Sequence, residues 1–340
     1  MEHNFLKFPM TKYSYSTARF FILTLAVIAL LILLGGCASF GHKQSASPNA
    51  VYVAQGDVEL SRYAPMIMHE NDTESFNQIG TPVVKTSNNG KPRVRIDSTT
   101  PTIYANKRAF TSVSGEEFTN YIYRIHFEKV PFSVIPFHVT AGRNGGLFII
   151  TTVDDRGQPL LYTTVHTCGC YLAFVPTQYM PDNAYLDNWP ESSQRVFGET
   201  LPVKIELTGE NRWPVVMLRD GTHRVANIEA RNPAVLRHHR VIRTPLRPLT
   251  SLRHLPSDDG PVSMFQTKGL REGYVRSIFK PFELLLISWW AFDLNVGIDK
   301  MYGDADVTGT RFYTSLKPWA RKKSDMWQFA EFLDYWGWKL

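Results

Sequence analysis

From about residue 82 to residue 230 the chain consists of strand-length apolar runs cut by turn residues, and that pattern limits its fold more than any other. Thr119–Phe127 alternates Tyr121, Tyr123, Ile125 and Phe127 with Asn120, Ile122, Arg124 and His126, the period of a strand. A short Lys129-Val130-Pro131 turn predicts a second strand over Phe132–Thr140. Leu147–Val153 and Leu160–His166, joined by Asp154-Asp155-Arg156-Gly157, read as a hairpin, and Gly169–Val175 extends the run. Val203–Leu207 and Trp213–Arg219 follow, and Asp220-Gly221 turns the chain into Thr222–Ile228. Pro136 and Pro159 call for edges, bulges or strand ends, because proline brings no ladder donor. His126 and Glu128, on one face near a strand end, read as a solvated turn.

The last quarter has a different texture. Pro281–Asp293, with Trp289 and Trp290, predicts a mostly buried helix. Ser324 is placed to N-cap a final helix over Asp325–Trp336, with Asp325 favourable in its first turn. Its aromatics Trp327, Phe329, Phe332, Tyr335 and Trp336 point all round, so it is expected to pack against the sheet. The fold class expected is α+β: a β-rich antiparallel sheet domain with a C-terminal helical layer over about residues 276–340. An apolar fraction of 44% excludes wholesale disorder, and 3 cysteines in 340 residues exclude a disulfide scaffold.

The N-terminus reads as an address. Lys7, Lys12 and Arg19 stand against one acid, Glu2, and Phe20–Leu34 is apolar except for Thr24. A bilayer span wants about 20 apolar residues, so this run is short. It closes on Leu34-Gly35-Gly36-Cys37, which resembles the lipobox of bacterial lipoproteins. The resemblance implies export, cleavage before Cys37 and acylation of Cys37. With Ala38 in place of the aspartate that retains such proteins at the inner membrane, it implies the outer membrane, facing the periplasm, in a Gram-negative source. Residues 1–36 are then the signal peptide, 37–55 an acylated cysteine with a small, polar tether, and 56–340 one globular domain. The next apolar run, Phe282–Phe292, is short and holds Glu283, so no later membrane helix is expected.

Two cysteines remain in His166-Thr167-Cys168-Gly169-Cys170. In an oxidising compartment a local Cys168–Cys170 disulfide is the first expectation. Residues two apart on a strand are separated by about 6.6 Å, so Gly169 would have to bend the chain. A reduced structural pair is the second reading. The third is a soft metal site for Cu or Zn made of His138, His166, Cys168 and Cys170, which needs Leu147 opposite both Thr164 and His138. One intervening residue is fewer than zinc sites normally use. A catalytic Cys–His pair has no visible orienting acid or oxyanion donor.

Residues 231–254 carry Arg231, Arg237, Arg240, Arg243, Arg247 and Arg253, three histidines and no acid. Removing residues 1–36 lowers the net charge from +6 to +4, and these six arginines exceed that total, so the remainder is slightly acidic. Pro233, Pro245, Pro248 and Pro256 make the segment turn-rich. An exported chain is a poor partner for nucleic acid. Arg237, Arg240, Arg243 and Arg247 instead suggest contact with an anionic envelope component: lipid headgroup, lipopolysaccharide or cell-wall polymer. The alternative is that these arginines pair with acids elsewhere in the fold or simply face water.

Asp304-Ala305-Asp306-Val307-Thr308 resembles the haloacid-dehalogenase nucleophile motif but lacks the apolar strand before it and the α/β domain after it. Read as a calcium loop it ends on Ser315 where a bidentate Glu is needed. Without a recognised catalytic motif the sequence inclines toward a membrane-anchored binding or structural module. The alternative is an envelope enzyme or a metal or redox protein using the His166, Cys168 and Cys170 cluster.

Overall fold

The computed structural model describes residues 50–87 and 89–340. Cys37, the signal-like segment and most of the expected tether lie outside these residues. In chain order the strands are β1 (Ala50–Gln55), β2 (Met66–His69), β3 (Thr81–Thr86), β4 (Pro92–Asp97), β5 (Ile103–Thr111), β6 (Glu117–Val130) and β7 (Gly142–Val153). They continue with β8 (Pro159–His166), β9 (Ala173–Pro176), β10 (Ser193–Val196), β11 (Glu199–Pro202), β12 (Trp213–Leu218), β13 (Val225–Arg231) and β14 (Arg240–Pro248). Among the described residues four α-helices accompany them: α1 (Val58–Tyr63), α2 (Pro281–Ala291), α3 (Ala305–Thr308) and α4 (Phe329–Tyr335).

Ten strands form one sheet in the order β13-β12-β2-β1-β14-β5-β6-β7-β8-β9. The β-rich α+β class is as the sequence suggests. The sheet is mixed rather than purely antiparallel: β12–β2, β1–β14 and β14–β5 are parallel. Two expectations change with it. Residues 50–55 are an inner strand, buried over its first three residues, not tether. The basic stretch supplies β14, which pairs with β1 over Arg240–Pro245 and with β5 over Leu246–Pro248. Pro245 falls where the ladder changes neighbour, so its missing N–H costs little.

The central meander is as read: β7 and β8 form the hairpin about Asp154–Gly157, and Gly157 N–H closes the turn on the Asp154 carbonyl. Phe132–Thr140 is not a strand. β6 runs through Val130 to pair with Gly142 of β7, which takes the neighbouring place, and residues 131–141 form a loop with a Val134–Phe137 bridge. The strand expected at Gly169–Val175 starts only at Ala173. Residues 203–207 contribute a single bridge, Ile205 to Thr177. The β12–β13 turn is longer than two residues and is closed by Arg219 N–H to Arg224 O.

Both faces of the meander are buried. Tyr121, Tyr123, Ile125 and Phe127 lie in a core with Tyr52, Ile67, Ile149 and Val216. Ile122, Phe148 and Ile150 point to the opposite side, under Phe312, Met326, Phe329, Phe332 and Trp338. The sheet curls so that its ends approach. His166 Nε2 of β8 lies 3.1 Å from the His223 carbonyl in the β12–β13 turn. Gln194 of β10 donates to Phe174 O of β9 at 2.7 Å, while Glu199 of β11 pairs with Arg219 and Arg224 beside β13. His126, expected in water, is fully buried against the Tyr104 ring.

The C-terminal layer is mostly irregular chain with short helices. α4 starts at Phe329, not Asp325. Ser324 Oγ accepts from Ser315 N–H, and Asp325 is buried, accepts from Trp327 N–H and pairs with Arg311 at 3.5 Å. Those two residues therefore hold a turn rather than a helix start. Phe332 and Phe329 meet Phe174 and Phe110 of the sheet, so α4 does pack on it. α2 matches the sequence in position but not in burial. Glu283, Ser288 and Ala291 face inward, while Leu285 and Trp289 are 65% and 79% exposed.

Candidate functional site

The segment between β8 and β9 is a tight turn. Gly169 N–H donates to His166 O at 2.7 Å and His166 N–H to Cys170 O at 2.9 Å. Gly169 sits at φ +95°, and a side chain there would run into the Tyr313 carbonyl, so both conformation and space require glycine. Lys300 braces the turn from the C-terminal layer: its N–H donates to Thr167 O at 2.8 Å and its Nζ to Cys168 O. The Lys300 ammonium also lies 4.2 Å from the centre of the Tyr313 ring.

This turn presents Cys168 and Cys170 to the start of α2. The two sulfurs and a Glu283 carboxylate oxygen all lie within 4.8 Å of one another. Cys170 Sγ is 3.8 Å from Glu283 Oε1. Lys280, just before α2, reaches Asp299 Oδ1 at 3.0 Å and Glu283 Oε2 at 3.8 Å. Cys168, Lys280, Glu283, Asp299 and Lys300 are buried, and Cys170 is partly buried at the wall of a cavity of about 490 Å³. Tyr171, Phe174, Phe197, Leu316 and Trp336 make that cavity largely aromatic and apolar.

The electrostatics follow from this crowding. Hydrogen bonding with Cys170 lowers the Cys168 pKa against the opposing effect of burial, with the Lys280 charge assisting. The same bond, with burial, pushes Cys170 well up. Cys168 is thus the first of the pair to ionise. Burial opposes the Lys280 ammonium, but Asp299, the Cys168 thiolate and Glu283 outweigh it and raise its pKa. Burial raises Glu283 and lowers Lys300. Three soft or anionic donors form an incomplete set for Zn or Cu(I), and the Lys280 charge beside them opposes a cation. A thiolate is the charge this surrounding favours.

Of the four expected ligands, only Cys168 and Cys170 come together. Both are free thiols in this structure, without the local bridge expected. The register is Leu147 opposite His166, not Thr164, and Leu147's other neighbour is Ile125 of β6. His138 belongs to the 131–141 loop, its Nδ1 2.9 Å from Pro131 O. His166 is held by His223 O, and burial pushes its pKa down to about 3, so it is a neutral latch. The basic residues separate as well. Arg240 pairs with buried Asp72 at 3.5 Å on the face of Tyr52, whereas Arg243 and Arg247 alternate to the opposite face and Arg237 sits on the short helix Pro233–His238. They make no single patch.

Lys280, Glu283, Asp299 and Lys300 were not singled out from the sequence as site residues. Glu283 alone carried a signal, an acid inside the apolar run Phe282–Phe292. Comparison with protein-family models, curated proteins and solved structures gives no match. Among the described residues no helix is long and apolar enough to cross a membrane.

Proposed function

We propose that this chain is an exported lipoprotein of the bacterial cell envelope, acylated at Cys37, whose β-rich body acts as a binding module at the membrane surface. The observation that carries it is Leu34-Gly35-Gly36-Cys37 at the end of a basic-then-apolar leader. Because β1 begins at Ala50, the segment from Cys37 to the folded body spans at most about 45 Å fully extended. Such a body works within one molecular diameter of the bilayer. Mass spectrometry of the N-terminal peptide from membrane-purified protein tests this. The expected result is a chain beginning at Cys37 with acyl chains attached. An intact Met1 and an unmodified Cys37 thiol refute it.

A second reading is favoured by the Cys168–Cys170–Lys280 arrangement: dithiol–disulfide exchange with a substrate disulfide admitted through the aromatic cavity. One thiolate attacks the substrate disulfide and expels one substrate thiolate. The second cysteine then resolves the mixed disulfide, leaving Cys168–Cys170 oxidised and the substrate reduced to two thiols. Thiol counting and elemental analysis of the purified protein separate this from a metal centre. Reversible loss of two thiols on titration with a disulfide supports exchange. Stoichiometric Zn or Cu that disappears in Cys168→Ser supports the metal instead. Inertness to both leaves the binding module.

A further inference from the structure

α2, Phe279 and the 131–141 loop make up an exposed apolar face. Ile135, Phe279, Leu285, Trp289, Phe292 and Leu294 are all at least 65% exposed, and Ile135 reaches 85%. Burying one such side chain is worth about 1.5–3 kcal/mol, so a face of this size is costly in water. A second feature borders it. A cleft of about 920 Å³, lined by Arg93, Arg95, Lys129 and Arg143, shares Phe279 and Pro281 with the apolar face. None of these four cations forms an ion pair among the described residues. Glu128 is the acid that offsets Arg95, which feels Arg143 and Arg93.

The register shows where this face lies relative to the chain's entry into the fold. Ala50 pairs with Arg240 at the start of β14, and β14 must run on to Leu246 before it reaches Ile103 of β5. β6 runs the other way, past Arg124 opposite Tyr104, to end at Val130 opposite Gly142. Ala50, Val130 and the 131–141 loop therefore share one end of the sheet. Charge complementarity and the entry point of the tether converge there.

We propose that this end of the molecule docks on an anionic phospholipid bilayer, with Arg93, Arg95, Lys129 and Arg143 on headgroup phosphates and Trp289, Trp290 and Phe292 in the interface. The proposal rests on the lipid-anchored reading for the nearness of the bilayer. Aromatic side chains suit the headgroup level, and basic residues beside them add attraction to anionic lipid. Docking orients the body and turns the buried dithiol turn, at this same end of β8, toward the membrane.

The test uses the full acylated chain in vesicles of phosphatidylglycerol and phosphatidylcholine with brominated acyl chains, read by tryptophan quenching. Wild type is expected to be quenched more than the Trp289→Phe/Trp290→Phe variant, the difference being the signal of these two rings. Arg93→Ala, Lys129→Ala and Arg143→Ala, all exposed, are each expected to lower the docked-to-undocked ratio about fivefold. Pure phosphatidylcholine vesicles should largely abolish the difference. Equal quenching of wild type and the double variant overturns the proposal, and so does a difference that ignores lipid charge. Coverage of the face by a second copy, seen as a stable dimer with no quenching difference, also overturns it. The N-terminal peptide mass is read on the same sample. A missing acyl group then marks failure of the anchor reading, and an acylated protein without quenching marks failure of the docking face.

Discussion

Individual residues hold the dithiol turn in place. Gly169→Ala forces a left-handed residue against Tyr313 O, and a loss of about 2–4 kcal/mol is expected by chemical denaturation, with Cys170 displaced. The asymmetry of the thiols is a separate matter. Cys168 is favoured as thiolate first by the hydrogen bond from Cys170, so Cys170→Ala should raise the Cys168 pKa, while Cys170→Ser keeps an O–H donor and should preserve most of the depression. Ultraviolet thiolate absorbance against pH checks it. If the alanine and serine variants titrate alike, the hydrogen bond is not the cause. The sequence exposed Cys168 and Cys170 as unusual chemistry because they stand two residues apart. It hid their surroundings: Glu283 is 113 residues from Cys170, and only tertiary packing brings α2 to the turn.

Elements divide by how local their instructions are. The β7–β8 hairpin was legible because alternation and turn chemistry sit within twenty-odd contiguous residues, enough to set both strands and the connection. β14 was not, because its partners β1 and β5 lie far back in the chain and parallel pairing leaves no adjacent turn to mark it. Its prolines and arginines, read locally, say loop. Residues 50–55 were lost for the same reason. The helices show the complementary limit. α2 and α4 have similar apolar composition, which cannot say what covers them. α4 meets Phe110 and Phe174, whereas α2 shows Leu285 and Trp289 to the outside. Phe332→Ala should therefore cost about 3–5 kcal/mol, while Leu285→Ser should change stability by no more than about 0.5 kcal/mol. Paired denaturation curves compare the two directly, and equal losses would mean that α2 is covered in the free protein.

At the scale of the molecule, the curled sheet is closed by groups that carry a pH dependence. His69, His126, His166 and His223 are all buried. His223 stacks on Phe127 with ring centres 4.0 Å apart, lies 5.5 Å from His69, and reaches Phe76 O at 2.8 Å, while its carbonyl holds His166. Burial pushes His69 and His166 down to about 3 and His126 and His223 well below the ordinary value, and the nearby charges of Arg124, Lys280 and Arg224 oppose protonation further. In the unfolded chain each titrates near 6.5. Below that pH the unfolded state binds protons that the folded state refuses, so stability is complete above about 6.5 and falls as the solution is acidified toward 3. Each histidine contributes a slope approaching about 1.4 kcal/mol per pH unit. Glu283 and Asp325, whose raised pKa values make the folded state the better proton acceptor, work in the opposite direction but are two among the described residues. Four histidines at that slope match a typical reserve of about 5–15 kcal/mol within roughly one to three pH units below 6.5. Thermal melts at successive pH values should show the melting temperature dropping steeply below 6.5, and His69→Gln should flatten that drop by roughly a quarter, being one of the four. A melting temperature that holds level from pH 7 to pH 5 would mean that these imidazoles reach water, and the contact from His166 to the His223 turn that draws the two ends of the sheet together could not then be what closes the fold.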